Sequence, residues 1–76
     1  MVQIFYSIFN NDTLLFANNA QYNKKEEAEQ DIKKIYNRVS KQKNKKIIEY
    51  TNNVLKFIDI PKSAEENEET HIFIIK

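Results

Sequence analysis

Seventy-six residues carry twelve basic and eleven acidic side chains, a formal net charge of +1, with no cysteine, no glycine and one proline. A chain this short forms one domain, residues 1–76, near the lower size limit for a single core. Without cysteine there are no disulfides, thiolate zinc sites or cysteine nucleophiles. Without glycine there is no P-loop, dinucleotide-binding fingerprint, nucleophile elbow or EF-hand, each of which needs a glycine for a turn or a close backbone approach.

No apolar run approaches the roughly 20 residues that span a bilayer. The opening MVQIFYSIFNND lacks the layout of a signal peptide. The expected location is therefore the cytoplasm, with no membrane partner. The abundance of Ile, Lys, Asn, Phe and Tyr, whose codons are rich in A and T, points to a low-GC bacterium, its phages or a similar mobile element.

In chain order, residues 2–9 (VQIFYSIF) and 13–17 (TLLFA) flank Asn-Asn-Asp and read as a first hairpin. ANNAQYN then leads to a helix. Asn23 is the expected N-cap, and Glu26 three residues on completes a capping box. Ala28, Ile32, Ile35, Tyr36 and Val39 recur at i, i+4, i+7, i+8 and i+11, one apolar stripe of a helix over about 24–42.

KNKK ends that helix, and IIEYT with VLKFIDI form a second hairpin. A two-residue loop at Asn52-Asn53 places asparagine where φ > 0 normally calls for glycine, because its short amide bonds the local backbone. This register sets Tyr50 against Leu55, Glu49 against Lys56, Ile48 against Phe57 and Ile47 against Ile58. Ile48, Tyr50, Leu55 and Phe57 then share the face on which the helix lies, while Glu49 and Lys56 form an opposite-charge cross-strand pair on the other. PKSAEENEET, residues 61–70, reads as an acidic loop and HIFIIK as a fifth strand.

The expected architecture is α+β: a small antiparallel sheet in the order ββαβββ, with one amphipathic helix packed on one face. A single helix covers a single face. Strands 1 and 5 are nevertheless apolar on both sides, with Val2, Ile4, Tyr6 and Ile8 against Phe5 and Phe9, and Ile72 and Ile74 against Phe73 and Ile75. The uncovered face therefore reads as a partner-binding surface, marked on the second hairpin by Ile47, Glu49, Val54, Lys56 and Ile58; the alternative is cover from within the chain, by a loop such as 61–70 folding over the sheet or by strong sheet twist.

Charge is unevenly placed. Seven basic residues and no acid lie between Lys33 and Lys46. Lys34, Arg38, Lys41 and, if the last turn extends, Lys45 form a stripe opposite the core, a candidate contact for nucleic acid or an acidic partner. Basic residues late in a helix also match its dipole, and a single arginine gives poor bidentate readout. The acidic run EENEE reads as a solvated linker in preference to a metal site or a mimic of nucleic-acid phosphates. His71 has no partner evident in the sequence, Glu49 already faces Lys56, and no catalytic, metal or cofactor constellation emerges.

The sequence thus points to a small non-enzymatic binding protein with no cofactor. Size and composition fit a phage- or mobile-element-encoded accessory protein that binds and inhibits or modulates a host protein, as anti-defence inhibitors do. Its partner is such a host protein or a second copy of the chain. The alternative is a small nucleic-acid-binding regulator using the basic tract 33–46.

Overall fold

A computed structural model describes residues 2–61 and 68–76. Five strands and one helix follow the order ββαβββ: β1 (Val2–Asn10), β2 (Thr13–Tyr22), α1 (Lys25–Val39), β3 (Lys45–Tyr50), β4 (Val54–Asp59) and β5 (Glu69–Ile75). All pairings are antiparallel, and the sheet order is β2-β1-β5-β4-β3. The two hairpins flank β5, the last strand in the chain and the middle one in the sheet. Because β2 and β3 occupy opposite edges, α1 crosses the whole sheet between them.

The helical stripe is buried as its spacing requires. Ala28, Ile32 and Val39 join Ile4, Leu55, Phe57, Phe73 and Ile75 in the core, with Ile35 and Tyr36 packed against it. A tyrosine fastens the helix at each edge of the sheet. Tyr22 Oη donates to Asp31 Oδ2 at 2.7 Å on the β2 side, and the Tyr36 ring stacks on Tyr50 of β3 at 4.2 Å.

The helix ends differ from expectation. Lys24, in an extended conformation, precedes the first helical residue, and no side chain caps it, so Asn23 does not form the capping box. At the other end Ser40 closes the helix, its Oγ donating to the Asn37 carbonyl at 3.0 Å. Lys41 and Gln42 then bond back three residues, to Arg38 and Val39. That tighter turn replaces the predicted final helical turn.

Both hairpins depart from simple registers. β2 runs on to Tyr22, through the Asn-Asn stretch expected to be a loop, and a bulge at Leu15 lets Ile8 face Phe16 while Phe9 faces Leu14. In β3 the extra residue is Ile48. Glu49 still faces Lys56 and Tyr50 faces Leu55, but Ile47 stands opposite Phe57 and Lys46 opposite Ile58. One added residue exchanges the faces of everything beyond it.

Asparagine replaces glycine in one turn and not the other. Asn11, in the first hairpin, has φ 54°, and among the described residues no other takes a positive φ. At Asn52-Asn53 the turn is held by Thr51, whose hydroxyl accepts from the Asn53 and Val54 N–H groups at 3.2 and 3.1 Å. The threonine side chain makes the left-handed conformation unnecessary. Of the acidic connection at 61–70, residues 62–67 lie outside the described residues, while Glu69 and Thr70 belong to β5.

Candidate interaction surface

Among the described residues, no helix lies on the sheet's second face. The principal extents, 42 × 26 × 14 Å, are those of a slab of two layers. On this bare face the register builds three rows across the strands. Phe5 pairs with Ile74 and Ile74 with Val54; Ser7 pairs with Ile72, Ile72 with Lys56 and Lys56 with Glu49; Phe9 pairs with Thr70, Thr70 with Ile58 and Ile58 with Lys46. Six large apolar side chains, from β1, β5 and β4, therefore adjoin one another. Phe5 is 41% exposed, and Phe9, Val54, Ile58, Ile72 and Ile74 are half-buried by their own neighbours.

Charged groups lie within and around this patch, Lys56 falling between Val54 and Ile58 on β4. Lys56 Nζ lies 4.0 Å from Glu49 Oε1, a solvated pair of small energetic weight. Lys76 Nζ sits 5.8 Å from the centre of the Phe5 ring, a cation–π contact of modest strength at the surface. Lys46 closes the edge at β3.

Four of the five residues expected on this surface are there: Glu49, Val54, Lys56 and Ile58. Ile47 is not. The Ile48 bulge turns Ile47 to the helix side, where it packs against the core, and leaves Ile48, expected in the core, 46% exposed. The patch is also broader than the second hairpin. Phe5, Phe9, Ile72 and Ile74 supply its middle, because β1 and β5 are interior strands and pair on both sides. Their two-sided apolar pattern was the available signal.

The basic stripe is shorter than expected. Lys34, Arg38 and Lys41 are exposed. Lys45 lies on β3, beyond the helix, with its Nζ 2.9 Å from Asp59 Oδ1 and 5.9 Å from the centre of the Phe57 ring. It is committed to the sheet and does not extend the stripe.

Two further features lie on the helix side. Between α1 and β2 a groove is lined by Tyr6, Asn18, Ala20, Tyr22, Lys34 and Ile35, because the short or polar side chains of β2 leave that flank of the helix uncovered. Past the helix, His71 is enclosed by aromatic rings, 4.7 Å from that of Phe57 and 6.0 Å from that of Tyr6. Its Nδ1 is 2.8 Å from Tyr6 Oη. Its Nε2 is 3.8 Å from Asp59 Oδ2 and 3.9 Å from Glu69 Oε1, outside hydrogen-bond reach of either. Burial holds the imidazole below its ordinary pKa; Asp59 and Glu69 pull upward, and Lys45 adds to the depression. Burial likewise raises the Tyr6 phenol. Asp59, Glu69 and His71 converge only because β4 pairs with β5, a neighbour relation the sequence does not announce.

Comparison with protein-family models, with curated proteins and with solved structures finds no match to this chain. No helix among the described residues is long and apolar enough to cross a membrane.

Proposed function

We propose that this chain is a non-enzymatic binding module that docks on a partner protein through the bare face of its sheet. One observation supports this above the others: Phe5, Phe9, Val54, Ile58, Ile72 and Ile74 gather on one face of a two-layer slab, with Ser7, Lys56 and Thr70 interspersed among them. Half-solvated antiparallel sheets ordinarily alternate apolar inside and polar outside, and the interior strands β1 and β5 do not. Covering a large apolar side chain contributes about 1.5–3 kcal/mol, so a partner that seals even the centre of the patch has a substantial driving force.

In the setting we propose, the partner is a host protein and the chain a phage- or mobile-element accessory protein that inhibits or modulates it. The small size and the composition rich in Ile, Lys and Asn support that setting. The basic tract is the weaker surface: Lys45 is engaged by Asp59, which leaves Lys34, Arg38 and Lys41 as the exposed stripe.

The test is selective loss of partner binding. Ile58→Lys and Ile74→Lys place a charge in the patch without touching the buried core. Both variants are expected to keep the parental fold by circular dichroism and to lose the partner. Lys34→Glu/Arg38→Glu, on the helix, is expected to keep it. Undiminished binding by the patch variants overturns the proposal.

A further inference from the structure

We infer that His71, Asp59 and Glu69 form a site for one divalent cation of the zinc class, a clip between the facing ends of β4 and β5. The inference is independent of the interaction surface, which lies on the opposite side of the sheet.

The geometry has three parts. His71 Nε2, a carboxylate oxygen of Asp59 and one of Glu69 lie within 4.8 Å of one another. The gaps of 3.8 and 3.9 Å between Nε2 and the two oxygens are too long for hydrogen bonds. Zinc bonds of about 2.0–2.1 Å in tetrahedral geometry separate neighbouring ligands by about 3.4 Å, so the imidazole must close on each carboxylate by about half an ångström and the two carboxylates on each other by at most about 1.4 Å. An imidazole with two carboxylates suits zinc or manganese; magnesium and calcium favour oxygen alone.

The surroundings hold the donors as a metal site requires. His71 Nε2 is buried and has no hydrogen-bond partner among the described residues. The other ring nitrogen is engaged by Tyr6 Oη at 2.8 Å, the outer-shell contact that fixes ring orientation in metal-binding histidines. A proton on Nδ1, donated to that oxygen, leaves the Nε2 lone pair directed at the carboxylates. Lys45 occupies Oδ1 of Asp59 at 2.9 Å and leaves Oδ2 facing His71. As a nearby cation it also opposes a second positive charge there. A second orphan lies close by in register. Asn10 follows Phe9, which pairs with Thr70, so the next step sets it beside Glu69, and its Oδ1 is likewise buried without a partner.

Asp59 and Glu69 bracket the connection between β4 and β5. A cation held by both, and by His71 one turn of the pleat further along β5, binds the folded arrangement and stabilises it by mass action.

The experiment uses the untagged chain, stripped with chelator and titrated with ZnCl2. His71 is the sole histidine, so its ring nitrogens are unambiguous in ¹⁵N spectra. Expected are saturable one-to-one binding by calorimetry, a shift of the Nε2 resonance that tracks occupancy, and a rise in melting temperature that MgCl2 does not reproduce. Glu69→Gln and Asp59→Asn, both at partly exposed side chains, keep the fold and weaken zinc binding by more than about tenfold. An Nε2 resonance that stays in place at excess zinc overturns the inference. So does parental zinc affinity in both variants, which would mean adventitious binding elsewhere.

Discussion

Ile47 stands opposite Phe57, and the residue between Ile47 and Glu49, Ile48, has no partner across the hairpin. This one offset decides which isoleucine belongs to the core. Ile47→Ala removes a half-buried side chain that packs on the core and is expected to cost about 1–3 kcal/mol, below the full range for a sealed site. Ile48→Ala, at an exposed position, is expected to stay within about 0.5 kcal/mol of the parent. Urea unfolding of the two variants distinguishes the bulged register from the regular one, which reverses their order.

The offset also shows what the sequence discloses and what it hides. The helix was legible because Ala28, Ile32, Ile35, Tyr36 and Val39 repeat at helical spacing over about three turns, and the tertiary fold buries that same stripe. The fifth strand was legible because Ile72 to Ile75 form an uninterrupted apolar run. The bulge was not, since Ile47 and Ile48 are chemically identical and either can face the core. The far half of β2 was hidden for a different reason. Asn18, Asn19 and Ala20 have no strand preference, and it is pairing with Tyr6, Phe5 and Ile4 that extends them. Four of the five residues placed on the bare face were found from alternation alone. The grouping of Asp59, Glu69 and His71 depends on a strand pairing that no local pattern encodes.

The two turns give opposite responses to substitution. Asn11 holds φ 54°, a conformation that costs most residues about 1–2 kcal/mol. Asn11→Ala is expected to destabilise by roughly that amount, and Asn11→Gly to be neutral or stabilising. At the second turn Asn53→Ala is expected to remain within about 0.5 kcal/mol. Thr51→Val, which removes the acceptor of two backbone N–H groups, costs about 0.5–1.5 kcal/mol. Thermal unfolding of the four variants checks the contrast.

Tyr22 makes stability depend on alkaline pH. Its hydrogen bond to Asp31, with burial and the Asp31 charge adding to it, pushes the phenol up to about 12 from the ordinary 10.0. A folded-state pKa above the unfolded one means that the stabilisation is complete below pH 10.0 and disappears as pH rises through about 12. The difference in urea midpoint between the parent and Tyr22→Phe is expected to be constant up to pH 10.0 and to shrink above it. A difference that persists unchanged through pH 12 contradicts the assigned hydrogen bond.

The basic stripe offers a control for the choice of surface. If Lys34, Arg38 and Lys41 gripped phosphates, affinity for a generic duplex would fall steeply with added salt. The expected result is no saturable duplex binding at low salt by fluorescence anisotropy, because the stripe is short and carries one arginine.

The most direct measurement compares proteins retained from a low-GC bacterial lysate by immobilised parent, Ile58→Lys/Ile74→Lys and Lys34→Glu/Arg38→Glu, followed by titration of the purified partner against each. Docking through the sheet face predicts a partner held by the parent and the helix variant and released by the patch variant, with affinity reduced at least about tenfold, the effect of some 1.4 kcal/mol. A partner that binds the patch variant as tightly as the parent, or no protein retained by the parent beyond that variant, contradicts it.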